Sequence, residues 1–379
     1  MKKQKICIIG GSLTGLTTAI SLSKLNCEID LIIGDGNLKT KSNRTVAISE
    51  NNFNFLNKLK ISKSFKKEVW PCSIMKLYTE IKNKFFLEVF ELNNNHKILY
   101  MFENSKIIKL MMNKIKKIYS IKIKDKAKVS AILNHGVLKE VKFNNNSYKY
   151  NLVIVCAGYN SSLVKNTFND QMIENSYKEL AITTTLNHDK IKNNTVRQIF
   201  LDNEIIALLP ISNTQTSVVW SIKNYIKRKN NLFLKNKIKF YAKKYLKNIK
   251  FISDIEYRDL KFVIRNKYYL DRVLLFGDAL HVVHPFVGQG FNMILRDLAS
   301  LEKLLEKKIS LGLDIGSNDI LSEFSEEIKP RNFAFSVSVD LLKNSFNYKN
   351  FRNNTLKIIN KSNFAKDIFY NIADKGFKF

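Results

Sequence analysis

The chain has 379 residues, 45% hydrophobic and 11% aromatic, enough apolar material for one large domain or two ordinary ones, which excludes a disordered or fibrous chain. Its formal net charge is +30, with 63 Lys and Arg against 33 Asp and Glu. The charge is mostly Lys, dispersed among many Asn and Ile, without the clustered Arg forks that read phosphates and base edges, so no nucleic-acid partner is expected. Dispersed Lys suits an anionic membrane surface better. No apolar run approaches the roughly 20 residues of a membrane-spanning helix. The basic start runs into too short an apolar stretch for a signal peptide, so a cytoplasmic location is expected. Cys7, Cys27, Cys72 and Cys156 lack CxxC spacing and the five His lack ligand spacing, which points to buried, reduced thiols and no metal.

In chain order, Ile6-Cys7-Ile8-Ile9 is a buried-strand run, Gly10 to Gly15 a turn, and Leu16, Ala19 and Ile20 a helical stripe. Ile29 to Ile33 follows as a second strand and completes a βαβ unit. Gly10, Gly11, Ser12 and Gly15 stand where a dinucleotide-binding turn stands, after a strand and before a helix. There the helix start offers free N–H groups and a positive dipole end to phosphate. Ser12 occupies the place of the second glycine; its hydroxyl can donate to phosphate, but its Cβ crowds the closest approach. The carboxylate expected to grip a ribose is displaced: Ile33 holds that place and Asp35 is the nearest acid.

Strand-like alternation fills 71–102 and 172–262, as in Ile205 to Leu209 and Ser217 to Ile222. Between them Leu152-Val153-Ile154-Val155 runs into Cys156-Ala157-Gly158. Val273 to Phe276 is a further buried strand, followed by a Gly-rich loop and a helical pattern from about Asn292. Near the end, Phe364, Ile368 and Ile372 recur at helical spacing with Phe369 beside them. Lys361, Lys366 and Lys375 lie outside that row, so the helix either packs on its own domain or lies on an anionic leaflet.

The stretch Gly277-Asp278-Ala279-Leu280-His281, then His284-Pro285, then Gly288-Gln289-Gly290-Phe291-Asn292 resembles the group A flavoprotein monooxygenases, most closely the aromatic hydroxylases of ubiquinone biosynthesis. Their pattern is a strand, GDAAH, a short spacer, HP, and G-Q-G-x-N opening a helix; only Leu280 departs. Asn43 to Ser49 is similar to the family's D-x-R-x-x-A-L-S segment, with Arg44 as its arginine. Tyr177 to Trp220 is similar to its substrate-domain sheet, and Gly312 to Gly316 to its late G-x-D-I-G turn.

The resemblance implies an α/β fold: a Rossmann-like, glutathione-reductase-like FAD-binding domain over 1–70, 103–171 and 263–330. It implies a β-sheet substrate domain over 71–102 and 172–262, interleaved with the first, and a C-terminal helical segment over 331–379. FAD is the implied cofactor, held by Gly10, Gly11, Ser12, Gly15, Asp35, Arg44, Gly277, Asp278, Pro285, Gly288, Gln289, Gly290 and Asn292. Asp278 would accept hydrogen bonds from ribityl hydroxyls, and Gly288 and Gly290 would let backbone N–H groups reach the flavin's pyrimidine edge. The helix start would face the ring where negative charge gathers on reduction. Pro285 and His281 border the reacting face, with no general base assigned. The implied reaction forms a flavin C4a-hydroperoxide from O2 and hydroxylates a polyprenyl phenol.

NAD(P)H is a possible reductant. Ser12, Ile33 and Ala157 (where the family has an Asp) all depart on the nucleotide side, so a direct electron donor other than NAD(P)H is open as well. Other quinone-biosynthesis proteins, and peripheral attachment to the inner face of the cytoplasmic membrane, are the implied partners. Two alternatives remain: a same-fold FAD reductase, and a non-catalytic member of a quinone-biosynthesis complex.

Overall fold

The computed structural model describes residues 3–34, 42–61, 65–80, 86–93, 97–168, 172–201, 204–223, 230–285, 288–345 and 348–376. The apolar run at the N-terminus forms the Gln4–Ile9 strand, with Ile6, Cys7 and Ile8 wholly buried. Such near-continuous apolar runs fit a parallel sheet covered on both faces. Gln4–Ile9 pairs in parallel with Cys27–Ile32 on one side and Leu152–Val155 on the other. The sheet extends to Ile121–Lys124 at one edge and through Val273–Leu275 to Tyr269–Leu270 at the other, six strands among the described residues. The Leu13–Leu22 helix lies on this sheet, every residue of it buried, packed against the helices Asn104–Ile115 and Gln289–Ser310.

A second, mixed sheet collects strands far apart in sequence. Its order is His281–Val282, Glu256–Arg265, Met172–Asn187, Gln215–Lys223, Ile205–Pro210, Thr195–Phe200, Ile74–Glu80 and Phe86–Asn93, with Lys250–Phe251 beside Met172–Asn187. One face is sealed by the Asn231–Ala242 helix over Ile182, Ile206, Leu208, Val218 and Trp220. The opposite face turns toward the residues that follow the parallel sheet. Ala47, Val283 and Met293 pack there with Met75, Leu77, Val196 and Phe200. The Leu99–Glu103 strand pairs with Thr45–Ser49 and Trp70–Cys72 in a small sheet of its own.

At the C-terminal end one continuous helix, Asn318–Ser345, contains Pro330 and runs straight across position 331. The helices Lys349–Lys361 and Asn363–Lys375 follow. Leu356, Ile359, Tyr370 and Ile372 pack on the second core, whereas Phe364 and Ile368 are 76% and 45% exposed. The apolar row read from the sequence is thus divided between core and solvent. Phe369 lies in this helix, and its side chain falls outside what is described.

The turn Gly312 to Gly316 fastens the parallel sheet from beneath. Gln4 donates to Leu313 O and accepts from the Ile315 N–H, while Asp314 pairs with Arg272 at 2.7 Å. A Cβ on Gly316 would overlap the Asn151 carbonyl oxygen and press on Arg272. Gly316→Ala therefore forces backbone apart and should cost about 1–3 kcal/mol. Thermal unfolding should show a Tm lower by several degrees, and an unchanged Tm would contradict this packing.

Candidate functional site

The strand-turn-helix at the N-terminus is built by close approach. Gly10 has φ +136°, and a Cβ there would sit 2.7 Å from Cys156 O; one on Gly15 would overlap the Gly10 carbonyl. Only glycine lets the first turn of the helix sit this close to the sheet. Ser12 is the N-cap, in extended conformation, exposed, with no hydrogen bond from its side chain to the helix. The first intrahelical bond is donated by Leu16 N–H to Ser12 O, so the N–H groups before it are free for an anion. No acidic residue lies in the first turn to compete with one.

The second motif lies directly on this helix start. A Cβ on Gly277 would meet Thr14 Cγ2 at 2.5 Å. Gly277–Ala279 forms a short 3-10 turn after the Val273–Leu275 strand and leaves Asp278 exposed. Arg44 comes to Asp278 from the other side. Burial and the neighbouring Arg258 pull the Arg44 pKa below its usual value, while Asp278 and Glu256 act to hold its charge. A half-buried arginine and an exposed carboxylate thus act on the same region, although they lie in distant parts of the chain.

The Gln289–Ser310 helix begins after Gly288, whose φ of +68° is left-handed. A Cβ on Gly288 would press to 3.0 Å on Ala47 Cβ, whereas Gly290 has nothing within 4 Å of that position. The helix has no side-chain cap, and Gln289 is buried with its Oε1 lacking a partner among the described residues. Asn292 is wholly enclosed. It accepts from the Ser49 N–H at 2.9 Å and from Asn52 Nδ2 at 3.1 Å, and donates to Ala47 O at 3.0 Å and Gly288 O at 3.2 Å. Its amide is spent on joining the loop to the Thr45–Ser49 strand, which carries Arg44 at its entry.

Of the remaining residues expected at the site, Pro285 is half-buried and accepts the Gly288 N–H at 3.1 Å. His281 is buried, with Nε2 3.0 Å from Asp297 Oδ2, and Asn332 donates to that same oxygen. Its backbone pairs with Ile264, so it fastens the loop to the second sheet. Gly11 is buried in the first turn. Asp35 lies outside the described residues. Ile33 is fully buried with its N–H bonded to Lys124 O, while Ala157 is exposed at the end of the Leu152–Val155 strand. Three participants give no signal in the sequence. Glu256 and Arg258 reach Arg44 from a distant strand, and Glu179 contacts His284 Nε2 at 3.4 Å.

These observations fit FAD. Free N–H groups and an unbonded Ser12 hydroxyl suit a pyrophosphate, Asp278 can take ribityl hydroxyls, and the open position at Gly290 with the orphaned Gln289 Oε1 suits the polar edge of an isoalloxazine. The site and its parallel sheet define a flavin-nucleotide protein of the α/β class. Comparison with known proteins narrows this further: the FAD binding domain family matches residues 3–333, and the chain belongs to that family. It is an FAD-dependent oxidoreductase.

The mitochondrial ubiquinone biosynthesis monooxygenase COQ6 of Dictyostelium discoideum is 24% identical over 97% of this chain and 88% of that protein. The ubiquinone hydroxylase UbiL of Rhodospirillum rubrum is 29% identical over 45% of this chain and 41% of its own. Among solved structures, p-nitrophenol 4-monooxygenase PnpA of Pseudomonas putida superposes with TM-score 0.80 at 15% identity, covering 100% of both chains. A point variant of Klebsiella pneumoniae HpxO, complexed with FAD, gives TM-score 0.77 at 12% identity over 98% of each chain. At these identities the structural likeness speaks for the fold.

Asp278→Ala should weaken FAD binding by roughly ten- to a hundredfold, because hydrogen bonds to a charged group contribute about 1.5–3 kcal/mol. Asp35→Ala should change it much less. Titration of apo-protein with FAD, followed by flavin fluorescence, measures both, and equal losses would contradict the assignment of Asp278.

Proposed function

We propose that this chain hydroxylates a polyprenyl phenol in ubiquinone biosynthesis, using O2. The observation that supports the reading best is the character of the second sheet's face beside the flavin loop. Cross-strand register places Ala181 opposite Ser221 and Ser221 opposite Ile205, then Thr183 opposite Val219 and Val219 opposite Ala207. Direct partners share a face, so these mostly small side chains form one patch. Ile205, Ala207 and Val219 stay partly exposed there, whereas Ile206, Leu208, Val218 and Trp220 on the other face are buried. The Ser217 hydroxyl on the patch is buried without a partner. A flat ring bearing a hydroxyl fits such a surface, and the apolar core of Met75, Leu77, Phe200, Phe335 and Val339 continues it toward the C-terminal helices. The names of the COQ6 and UbiL relatives support the same substrate class.

Bound FAD supplies the redox chemistry, accepting electrons and activating O2. The chain's own residues then do four things. The free N–H groups after Ser12 hold the pyrophosphate, and Arg44 and Asp278 fix the ribityl region. The start of the Gln289–Ser310 helix stabilises negative charge on the ring edge, and the small-residue patch orients the phenol and excludes water. The parallel-sheet segments, 1–70, 103–171 and 263–330, are the FAD-binding part of this assignment, and 71–102 with 172–262 the substrate part. Because Ala157 offers no carboxylate for a nicotinamide cofactor, the reading admits an electron donor other than NAD(P)H. Hydroxylation under 18O2 with a chemical or enzymatic reductant should place one 18O atom in the phenol, read by mass spectrometry. Turnover without incorporated label would contradict the monooxygenase reading and favour a reductase.

No helix among the described residues is long and apolar enough to cross a membrane. The reading therefore includes peripheral attachment to an anionic leaflet, supported by exposed Phe364 and Ile368 near Lys361 and Lys366. Removal of the last helix is a poor test, because Asp374 accepts the Asn51 N–H at 2.8 Å and its carbonyl accepts from Ser49 Oγ, next to the flavin loop. Phe364→Glu combined with Ile368→Glu should keep FAD bound but abolish sedimentation with anionic liposomes. Undiminished sedimentation would contradict membrane attachment through this helix.

A further inference from the structure

Beside the flavin loop lies a buried charged cluster that the cofactor contacts do not use. Glu179, Lys343 and His284 are 9%, 6% and 1% exposed, and come from the second sheet, the Asn318–Ser345 helix and the loop before Pro285. Lys343 Nζ stands 2.7 Å from Glu179 Oε1, and His284 Nε2 stands 3.4 Å from Glu179 Oε2. Tyr177 packs edge-on against the His284 ring, lies under Lys343 Nζ and donates to Asp340 at 2.7 Å. Burying three ionisable groups is costly unless they are paired. Glu179 and Lys343 are paired, but His284 Nδ1 is buried with no hydrogen-bond partner among the described residues.

That nitrogen has a task on three physical grounds. First, a carboxylate at Nε2 fixes the neutral ring's proton on Nε2, which leaves the Nδ1 lone pair as the acceptor. Second, Glu179, which holds His284 Nε2, is two residues from Ala181 on the same face of its strand, so the cluster continues the line of the small-residue patch. Third, among the neighbouring charges, Glu179 and Asp340 both favour a positive charge on His284 and Lys343 alone opposes it, so the surroundings accommodate a proton taken from a ligand.

We propose that His284 Nδ1 accepts the phenolic proton of the substrate, with Glu179, itself held by Lys343, as the positioning residue that sets the ring's tautomer. The substrate O–H bond breaks, an N–H bond forms at Nδ1, and the electron pair stays on oxygen as phenolate, which makes the ring more nucleophilic toward an electrophilic oxygen. Burial lowers the His284 pKa, and the Glu179 hydrogen bond offsets this only in part, so the ring is neutral and able to accept near pH 7. Burial disfavours the Glu179 carboxylate, but the hydrogen bonds from His284 and Lys343 outweigh it, and the carboxyl stays below its usual range. Tyr177, Asp340 and Lys343 are the other titratable groups facing the imidazole.

The proposal rests on the phenol-hydroxylating reading, and one optical experiment separates the two. FAD-loaded protein is titrated with a 2-prenyl-4-nitrophenol, and the phenolate band of the bound ligand is followed against pH in difference spectra. The wild-type chain should bind it as phenolate below the ligand's own pKa. In His284→Asn the ionisation midpoint of the bound phenol should rise by at least one pH unit, and in Glu179→Gln by a smaller amount. A merely structural role would lower ligand affinity or FAD content without moving the midpoint. An unchanged midpoint in His284→Asn overturns the proposal; if that variant does not retain FAD, an unchanged midpoint in Glu179→Gln does so. A wild-type protein that binds FAD but no phenol would instead overturn the substrate reading on which the proposal stands.

Discussion

The Asn292 side chain, wholly buried, makes four hydrogen bonds that hold two distant pieces of chain as one wall. Its carbonyl oxygen takes the Ser49 N–H and the Asn52 amide, and its amide nitrogen serves Ala47 O and Gly288 O. At this separation the left-handed turn at 288 lies so close to Ala47 that a Cβ there would press on it, which favours glycine. Arg44 enters on the pinned strand and feels the charge of Asp278, and Asp278 stands on a turn that rests on Thr14 of the helix proposed to hold phosphate. The relative placement of the regions proposed for phosphate, ribityl chain and ring therefore runs through one amide. Losing it would leave at least one buried N–H and one buried C=O unsatisfied, at about 1–3 kcal/mol each.

The other layers converge on the same wall. His281–Val282 adds a strand to the edge of the second sheet, and the buried His281–Asp297–Asn332 network ties that strand to two long helices. The C-terminal helix reaches Ser49 and Asn51 through Asp374, and Tyr370 donates to Glu50. A terminal segment expected as a possible membrane appendage thus also buttresses the cofactor site. Its outward residues Phe364 and Ile368 remain available to a second surface. A helix has more than one face, so the inward contacts leave the proposed membrane contact open.

The local chemistry of the fold is legible in the sequence because it depends on neighbours. Ile6 to Ile9, Leu152 to Val155 and Val273 to Leu275 are apolar runs that lead into glycine-bearing turns, and all three lie side by side in the parallel sheet. The Gly10–Gly15 turn and the Gly277–Asn292 loop are equally visible, because close backbone approach admits few residues. What is hidden is pairing at long range. Nothing in the alternation of Met172–Asn187 marks Glu179 as the partner of His284 and Lys343, 105 and 164 positions away. From the sequence, His281 is a candidate site residue and His284 has no role. In the structure each sets Nε2 against a carboxylate, Asp297 for His281 and Glu179 for His284, and His284 in addition keeps a buried Nδ1 without a partner among the described residues. Asn292 is visible as a motif residue, but its task as a tie between segments emerges only when Ala47 and Ser49 are beside it.

The most direct test of this account is the FAD affinity of Asn292→Ala, measured on protein whose far-UV circular dichroism shows it folded. If the amide positions both halves of the site, the Kd for FAD should rise by at least about tenfold although Asn292 has no group left over to touch the cofactor. Folded Asn292→Ala that binds FAD as tightly as the wild-type chain would contradict the claim that the site is assembled through this residue.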